Sequence, residues 1–172
     1  MGERGRERQG SITGFLAEDH RRLDALLQSA AVDSVLMDES AYHQFRAGLL
    51  RHIGMEEKIL LPAVQRLCGG APFPVAAKLR LDHGAIAALL MPTPTAAIVA
   101  MIRGILSGHN MIEESPDGLY ETCDALPATE VEQLLAGLQA APEVNVMPYS
   151  DSPVVMNAVQ RAVERAGYQF KG

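Results

Sequence analysis

The sequence predicts an all-α protein: an antiparallel up-down four-helix bundle with extra short C-terminal helices. Three observations favour this fold class. The 172-residue chain is 48% hydrophobic, yet it has only four Phe, four Tyr and no Trp, a composition more typical of packed helices than of sheets. Apolar residues recur at helical spacing, and one pattern of two successive helices occurs twice. The length fits a single domain with a substantial core.

The first helix follows a short charged segment. Residues 1–10 are charged and contain glycine, so we expect a mobile tail there. Ser11 or Thr13 can cap the helix, whose inner face carries apolar residues and one histidine at helical spacing. We expect this helix to end near Ser29.

The second helix is predicted from about Glu39 to Leu67, where Gly69 and Gly70 close it. Pro62 lies inside this range. Because proline removes a backbone hydrogen bond and clashes with the preceding turn, we expect a kink or an early stop just before it.

The second half of the bundle repeats this plan. A turn at 71–74 leads into a third helix over about 74–90, and a short Pro-containing link leads to a fourth helix over about 95–114. So short a link implies that the third and fourth helices are antiparallel neighbours. The Ser-Pro-Asp-Gly string at 115–118 then interrupts the helix.

Short helices are predicted after the bundle. Residues 119–126 can resume as a helix, and Thr129 starts a Thr-x-x-Glu capping box that opens another. We assign 11–140 to the bundle and 141–172 to a Pro-rich linker with an amphipathic C-terminal helix. That last helix packs either on the bundle or on another subunit, so a homodimer is one expected assembly.

Charge and hydropathy argue against two classes of partner. A net charge of −6 is unfavourable for binding nucleic acid or an anionic membrane surface. The sequence has no apolar run of the roughly 18 residues needed to span a bilayer, and its N-terminus lacks the apolar core of a signal peptide. We therefore expect a cytoplasmic protein, in which Cys68 and Cys123 are free thiols.

Two His-x-x-x-Glu pairs carry the candidate chemistry. His52 and Glu56 lie one turn apart on the apolar face of their helix, and His109 and Glu113 repeat the arrangement. Burying a carboxylate without a partner is costly, so a cation is expected opposite each Glu.

A second repeated string precedes each pair. It reads Asp-His-x-x-apolar-x-Ala-Leu-Leu and adds His20 and His83. One histidine on an apolar face is usually a core residue, but four in a duplicated pattern indicate a metal site. Four imidazoles and two carboxylates suit iron or manganese, whereas structural zinc favours cysteine. Carboxylates from opposite helices can span two ions, so a dinuclear centre is expected.

These residues resemble the hemerythrin-like (HHE cation-binding) family over roughly residues 12–126. The most specific string is His52-x-x-x-Glu56-Glu57-x-x-Leu-Leu-Pro, supported by His109-x-x-x-Glu113-Glu114 before Leu-Tyr. That family is known for a non-haem di-iron centre in a four-helix bundle. The resemblance implies two iron ions, with manganese or zinc as substitutes, and six ligands: His20, His52, Glu56, His83, His109 and Glu113.

Several residues depart from the family pattern or leave alternatives open. Ala87 stands where oxygen-carrying members have a second histidine, which leaves coordination positions open and favours reaction with a small oxidant over reversible carriage. Asp24 is a further candidate ligand, although a solvated carboxylate is the commoner case. His43 should face away from the site. Glu57 and Glu114 are expected to be solvated or to accept hydrogen bonds from the ligands.

The function that these features favour is binding of, or reaction with, a small ligand: dioxygen, nitric oxide or peroxide. The role is sensing, scavenging or iron handling, and whether the protein is an enzyme stays open. The alternative is a regulatory or interaction module with a structural metal and an output through the C-terminal tail. A metal-free bundle is disfavoured, because two buried Glu without a cation would be strongly destabilising.

Overall fold

The computed structural model describes residues 10–31 and 37–170. Within these ranges the chain forms helices and no strands, so the predicted all-α fold is confirmed. The tail expected at 1–10 lies outside the described residues except for Gly10, and so does most of the predicted connection at 31–38.

Side-chain caps fix where the first two helices begin. Helix α1 spans Ile12–Ala30, and the Ser11 hydroxyl accepts a hydrogen bond from the Gly14 N–H. Helix α2 spans Glu39–Met55 and begins after Asp38, whose carboxylate accepts from two backbone N–H groups.

Helix α2 continues through a π-helical turn, Glu56–Leu60, into helix α3, Leu61–Leu67. The Leu61 N–H donates to the Glu56 carbonyl, five residues back. Pro62 follows at once, and its ring would clash with the carbonyl four residues earlier in a regular helix. The interruption predicted before Pro62 is therefore one widened turn, and the helix continues beyond it.

The other two bundle helices are α4, Ala76–Leu89, and α5, Ala96–Glu114. Thr95 caps α5 by accepting a hydrogen bond from the Ile98 N–H. The turn after α5 brings the chain back against the bundle, since the Gly118 N–H donates to the Ser115 carbonyl at 2.8 Å. Asp117 has a φ of 62° within it.

Helix α6, Leu119–Asp124, and helix α7, Ala128–Gln139, follow. Asp124 accepts hydrogen bonds from the backbone N–H groups of Ile12 and Thr13 at 2.7 and 3.0 Å, so α6 is tied to the start of α1. The capping box expected at Thr129 is wrong: α7 begins at Ala128 after Pro127 and has no side-chain cap.

The buried side chains form two apolar clusters with a polar layer between them. One cluster contains Leu23, Phe45 and Leu49, and the other contains Leu16, Met55 and Leu60. In α1 and α2 a buried histidine stands between residues of the two clusters. The sequence spacing therefore places polar groups at mid-height in the bundle, away from water.

The C-terminal segment lies on the protein's own bundle. Residues 141–152 are irregular and lead to helix α8, Pro153–Arg165, which packs on α4. Val159 and Val163 are fully buried in the first cluster. Upstream, the Arg46 guanidinium donates to the Met147 carbonyl at 3.1 Å and lies 4.3 Å from the Tyr149 ring centroid.

No helix in the described part of the chain has both the length and the apolar character to cross a membrane.

Candidate metal centre

The polar layer contains one histidine from each bundle helix. His20 belongs to α1, His52 to α2, His83 to α4 and His109 to α5. All four are buried, and Glu56 and Glu113 are completely so. The structure therefore brings together all six residues that the sequence singled out.

These six residues form two overlapping donor groups. The first group is His20, His52, Glu56 and Glu113, and the second is Glu56, His83, His109 and Glu113. Within each group the donor atoms lie within 4.8 Å of one another. Because both carboxylates belong to both groups, they lie where bridging ligands between two ions would be needed.

Each carboxylate directs its two oxygens toward different histidines. Glu56 Oε1 lies 3.1 Å from His52 Nε2, and its Oε2 lies 3.1 Å from His83 Nε2. Glu113 Oε1 lies 3.1 Å from His109 Nε2, and its Oε2 lies 3.6 Å from His20 Nε2. Each carboxylate thus spans the two halves of the duplicated pattern.

The outer nitrogen of every histidine faces a second carboxylate. In each case the partner comes from another bundle helix, and the sequence did not identify these pairs. The Nδ1 contacts are His52 to Asp19 at 2.8 Å, His83 to Glu57 at 2.6 Å, His109 to Asp82 at 3.5 Å and His20 to Glu114 at 2.5 Å. Such partners fix the ring orientation and direct Nε2 inward, as metal-binding histidines require.

The inward atoms fit a cation better than they fit one another. His83 Nε2 and His109 Nε2 lie 3.1 Å apart, so only one of these two nitrogens can carry a hydrogen toward the other. Among the described residues, Glu56 Oε2 and Glu113 Oε1 are buried without a hydrogen-bond partner. A metal ion satisfies both features, since it accepts lone pairs from nitrogen and oxygen alike.

Protons occupy the inner face of the metal-free chain. Burial alone would lower the pKa of His52, but the charge of Glu56 and the hydrogen bond to Asp19 raise it to about 10. Burial alone would lower the pKa of His109, but the hydrogen bond to Asp82 and the negative charge of Glu113 raise it to about 9. A metal ion must therefore displace protons from this site.

The two inner carboxylates differ in acidity. Burial would raise the pKa of Glu56, but the charge and hydrogen bond of His52 lower it well below its usual range. The pKa of Glu113 is raised, first by burial and then by the charge of Glu56. Glu56 is thus the more acidic of the two, and a bound cation would stabilise both as carboxylates.

Tyr120 is a site residue that the sequence reasoning missed. Its fully buried hydroxyl lies 2.5 Å from Glu56 Oε1 and 3.0 Å from Glu113 Oε2. It also lies 3.1 Å from His20 Nε2 and 3.3 Å from His52 Nε2. The phenol therefore contacts every member of the first donor group, which makes the two groups chemically different.

The remaining candidates lie outside the two donor groups. Asp24 is exposed and accepts a hydrogen bond from the Gln28 amide at 2.6 Å. His43 is exposed, as expected. Cys68 is exposed and Cys123 is buried, and both are free thiols.

A cavity of about 400 Å³ between α1 and α5 has His20 and Glu114 in its wall. The wall also contains both apolar and charged side chains, among them Leu23, Leu49, Leu106, Arg21, Asp24 and Arg103. A small molecule can therefore approach His20 from this side.

A family model described as "Hemerythrin HHE cation binding domain" matches residues 11–140. No curated protein and no solved structure matches the chain. The matched range holds all six predicted ligands and Tyr120, whereas α8 lies beyond it.

Proposed function

This chain belongs to the hemerythrin HHE cation-binding domain family, and on that premise we propose that it holds a di-iron centre that reacts with a small ligand. The ligand is dioxygen, nitric oxide or peroxide, and the role is sensing, scavenging or iron handling. The supporting observation is the pair of four-residue donor groups that share Glu56 and Glu113.

Six side chains would hold the two ions. His20 and His52 serve the first position, His83 and His109 serve the second, and Glu56 and Glu113 serve both. Two nitrogen and two carboxylate donors per position suit iron and leave room for an external ligand. Bound iron would supply electron exchange with the small molecule.

The chain's own groups prepare this chemistry. The four outer carboxylates hold the imidazoles so that Nε2 points inward. The Tyr120 hydroxyl donates a hydrogen bond to Glu56 Oε1, within reach of the first position. The two apolar clusters above and below the polar layer exclude bulk water, and the cavity beside His20 admits a small molecule.

Helix α4 favours reaction over carriage. It supplies a single histidine to the centre, because Ala87 occupies the position one turn after His83. The second donor group consequently has no third nitrogen among the described residues. Open positions at an ion favour redox reaction with an oxidant over tight reversible binding.

The test is anaerobic loading with ferrous iron, followed by an optical spectrum before and after air is admitted. We expect uptake to saturate near two irons per chain and charge-transfer bands to appear in air. Persistence of these bands under vacuum would indicate redox or sensing chemistry, and their reversal would indicate carriage.

A matched pair of histidine variants locates the iron. His52→Ala removes a buried donor and should abolish the di-iron spectrum while helix content is retained, whereas His43→Ala changes an exposed histidine and should leave the spectrum intact. Retention of both irons by His52→Ala would contradict the assignment. Absence of any iron uptake by the unmodified chain would overturn the proposed function itself.

A further inference from the structure

We propose that Lys78 is a positioning residue for the second donor group, and that the C-terminal segment holds it in place. Lys78 lies in α4, within the family match, but two of its partners, Ala166 and Tyr168, follow α8 and lie beyond that match. The inference rests on the proposed function, since it concerns how one of the two ion positions is built.

The ammonium group of Lys78 joins the C-terminal segment to a buried carboxylate. Its Nζ donates to Asp82 Oδ1 at 2.5 Å, to the Ala166 carbonyl at 3.1 Å and to the Tyr168 hydroxyl at 3.0 Å. The same atom lies 4.4 Å from the centroid of the Tyr168 ring. Three acceptors thus fix an ammonium group that is usually mobile.

Asp82 connects Lys78 to the candidate ligand His109. Its side chain is completely buried, and its other oxygen, Oδ2, faces His109 Nδ1 at 3.5 Å. This is the longest of the four outer contacts in the centre, so a small rotation of the carboxylate would break it. Lys78 prevents that rotation because it holds Oδ1.

The end of α8 is a suitable anchor for a cation. Ala166 is the C-cap of α8, where unpaired carbonyls carry partial negative charge. The helix itself is fixed by Val159 and Val163, which are fully buried. A well-packed helix therefore presents a rigid acceptor to Lys78.

The other outer carboxylates have different supports. Arg22 contacts Asp19 at 2.8 Å and Arg80 contacts Glu57 at 3.3 Å, and both arginines belong to the bundle helices. Among the described contacts, the C-terminal segment supports only the Asp82 carboxylate. Loss of this support should therefore weaken one ion position and spare the other.

The experiment measures the two dissociation constants for ferrous iron under anaerobic conditions, by competition with a chelator. Removal of a direct outer partner of a metal ligand typically weakens metal binding about 10–100-fold. Because Lys78 acts through that partner, we expect Lys78→Met to weaken the second ion by roughly three- to tenfold and the first by less than twofold. Tyr168→Phe, which keeps the ring, should cause a smaller change in the same ion.

Two matched variants separate positioning from folding. Lys78→Arg keeps the charge and should recover most of the affinity for the second ion. Lys58→Met alters an exposed lysine of the π-helical turn and should leave both affinities unchanged. Circular dichroism of the metal-free proteins checks that each variant is folded. If Lys78→Met does not fold, the affinities of Tyr168→Phe and Lys78→Arg for the second ion test the proposal.

Each result has a distinct meaning. Selective weakening of one ion, with recovery in Lys78→Arg, supports the proposal. Wild-type affinities in both Lys78→Met and Tyr168→Phe overturn it while leaving the di-iron function intact, and so does equal weakening of both ions. If the unmodified chain binds no iron, the proposed function fails and this inference fails with it.

Discussion

Single residues set the protonation of the centre. His52 and His109 each have one nitrogen against an outer carboxylate and one against the inner pair, so a proton and a metal ion compete for the inner nitrogen. Their pKa values are raised to about 10 and about 9, and the pKa of His83 is raised as well.

These raised pKa values predict that metal binding is linked to proton release. At pH 7 both histidines of the metal-free protein hold an extra proton, which a metal ion must displace. Calorimetry in buffers of different ionisation enthalpy should therefore detect release of at least about two protons per chain. Affinity should rise with pH until about 9 to 10 and then level off.

The same raised pKa values predict how the stability of the metal-free protein changes with pH. A histidine whose folded pKa exceeds its unfolded value of about 6.5 stabilises the fold most below that value, and the contribution is lost as pH rises through the folded pKa. Unfolding of the metal-free chain should become easier between about pH 7 and 10. A flat profile, together with metal uptake that releases no protons, would refute both expectations.

Two buried tyrosines provide a matched test of hydrogen bonding. Tyr120 and Tyr42 are both fully buried, but the Tyr42 hydroxyl has no hydrogen-bond partner among the described residues. Tyr120→Phe removes the phenol that hydrogen-bonds to the Glu56 and Glu113 carboxylates, which should cost the metal-free fold about 1–3 kcal/mol. Tyr42→Phe should be nearly neutral or slightly stabilising, and denaturant unfolding of both proteins measures the difference.

At the scale of helices, the sequence predicted pairs of residues on the same helix, but it did not predict pairs formed between helices. The His-x-x-x-Glu pairs lie on one helix each, so a period of 3.6 residues was enough to place them on a buried face. The contact between Asp19 and His52 depends on how two helices are rotated relative to each other. The residue spacing within one helix does not predict that rotation. Nevertheless, an Asp before two of the histidines and a Glu after each inner carboxylate were visible signals.

Tyr120 was missed for a related reason. Its helix, α6, has six residues, too few for a periodic pattern to define an inner face. The direction of its side chain depends on the turn at 115–118, which the sequence marks only as an interruption of the helix. The Gly118 N–H closes that turn on the Ser115 carbonyl, and the phenol enters the first donor group.

Gly118 makes that return feasible. A Cβ at this position would lie 2.6–2.8 Å from three backbone carbonyl oxygens, those of Ile112, Glu113 and Ser115. Gly118→Ala should therefore shift α6 and destabilise the protein by about 1–3 kcal/mol. It should also weaken iron binding, because Tyr120 follows two residues later.

The control for Gly118→Ala is another glycine of the same region. Gly104 lies within α5, and a Cβ there would meet no atom within 4 Å. Gly104→Ala should stabilise the helix by about 0.5–1 kcal/mol. Thermal unfolding compares the two proteins, and equal melting temperatures would contradict the role assigned to Gly118.

For the whole molecule, the C-terminal segment is part of the folded bundle. The sequence left open whether its helix packs on the bundle or on another subunit, because an apolar stripe does not name its partner. In the structure Val159 and Val163 share a cluster with Ile86 and Leu89 of α4. The amphipathic pattern thus predicted that one face of the helix is buried, and the structure shows that this face packs against α4.

Truncation after Ala141 should consequently destabilise the bundle. Burial of two valines alone contributes roughly 3–6 kcal/mol, and their removal exposes the α4 surface beneath them. Urea unfolding should show a large drop in the midpoint. In the full chain, Val163→Ala should be destabilising and Val154→Ala, at a position 75% exposed, nearly neutral; an unchanged midpoint after truncation would contradict this view.

The outer contacts of the centre alternate between the halves of the duplicated chain. Asp19 supports His52 within the first half, whereas Glu57 of that half supports His83 in the second. One half alone would be an incomplete site, but two identical helical hairpins related by a twofold axis would form the same set of outer contacts. The protein thus corresponds to such a dimer made covalent, in which assembly is independent of protein concentration. Joining the halves also allows them to differ, so that Tyr120 contacts one donor group and the C-terminal helix lies beside the other.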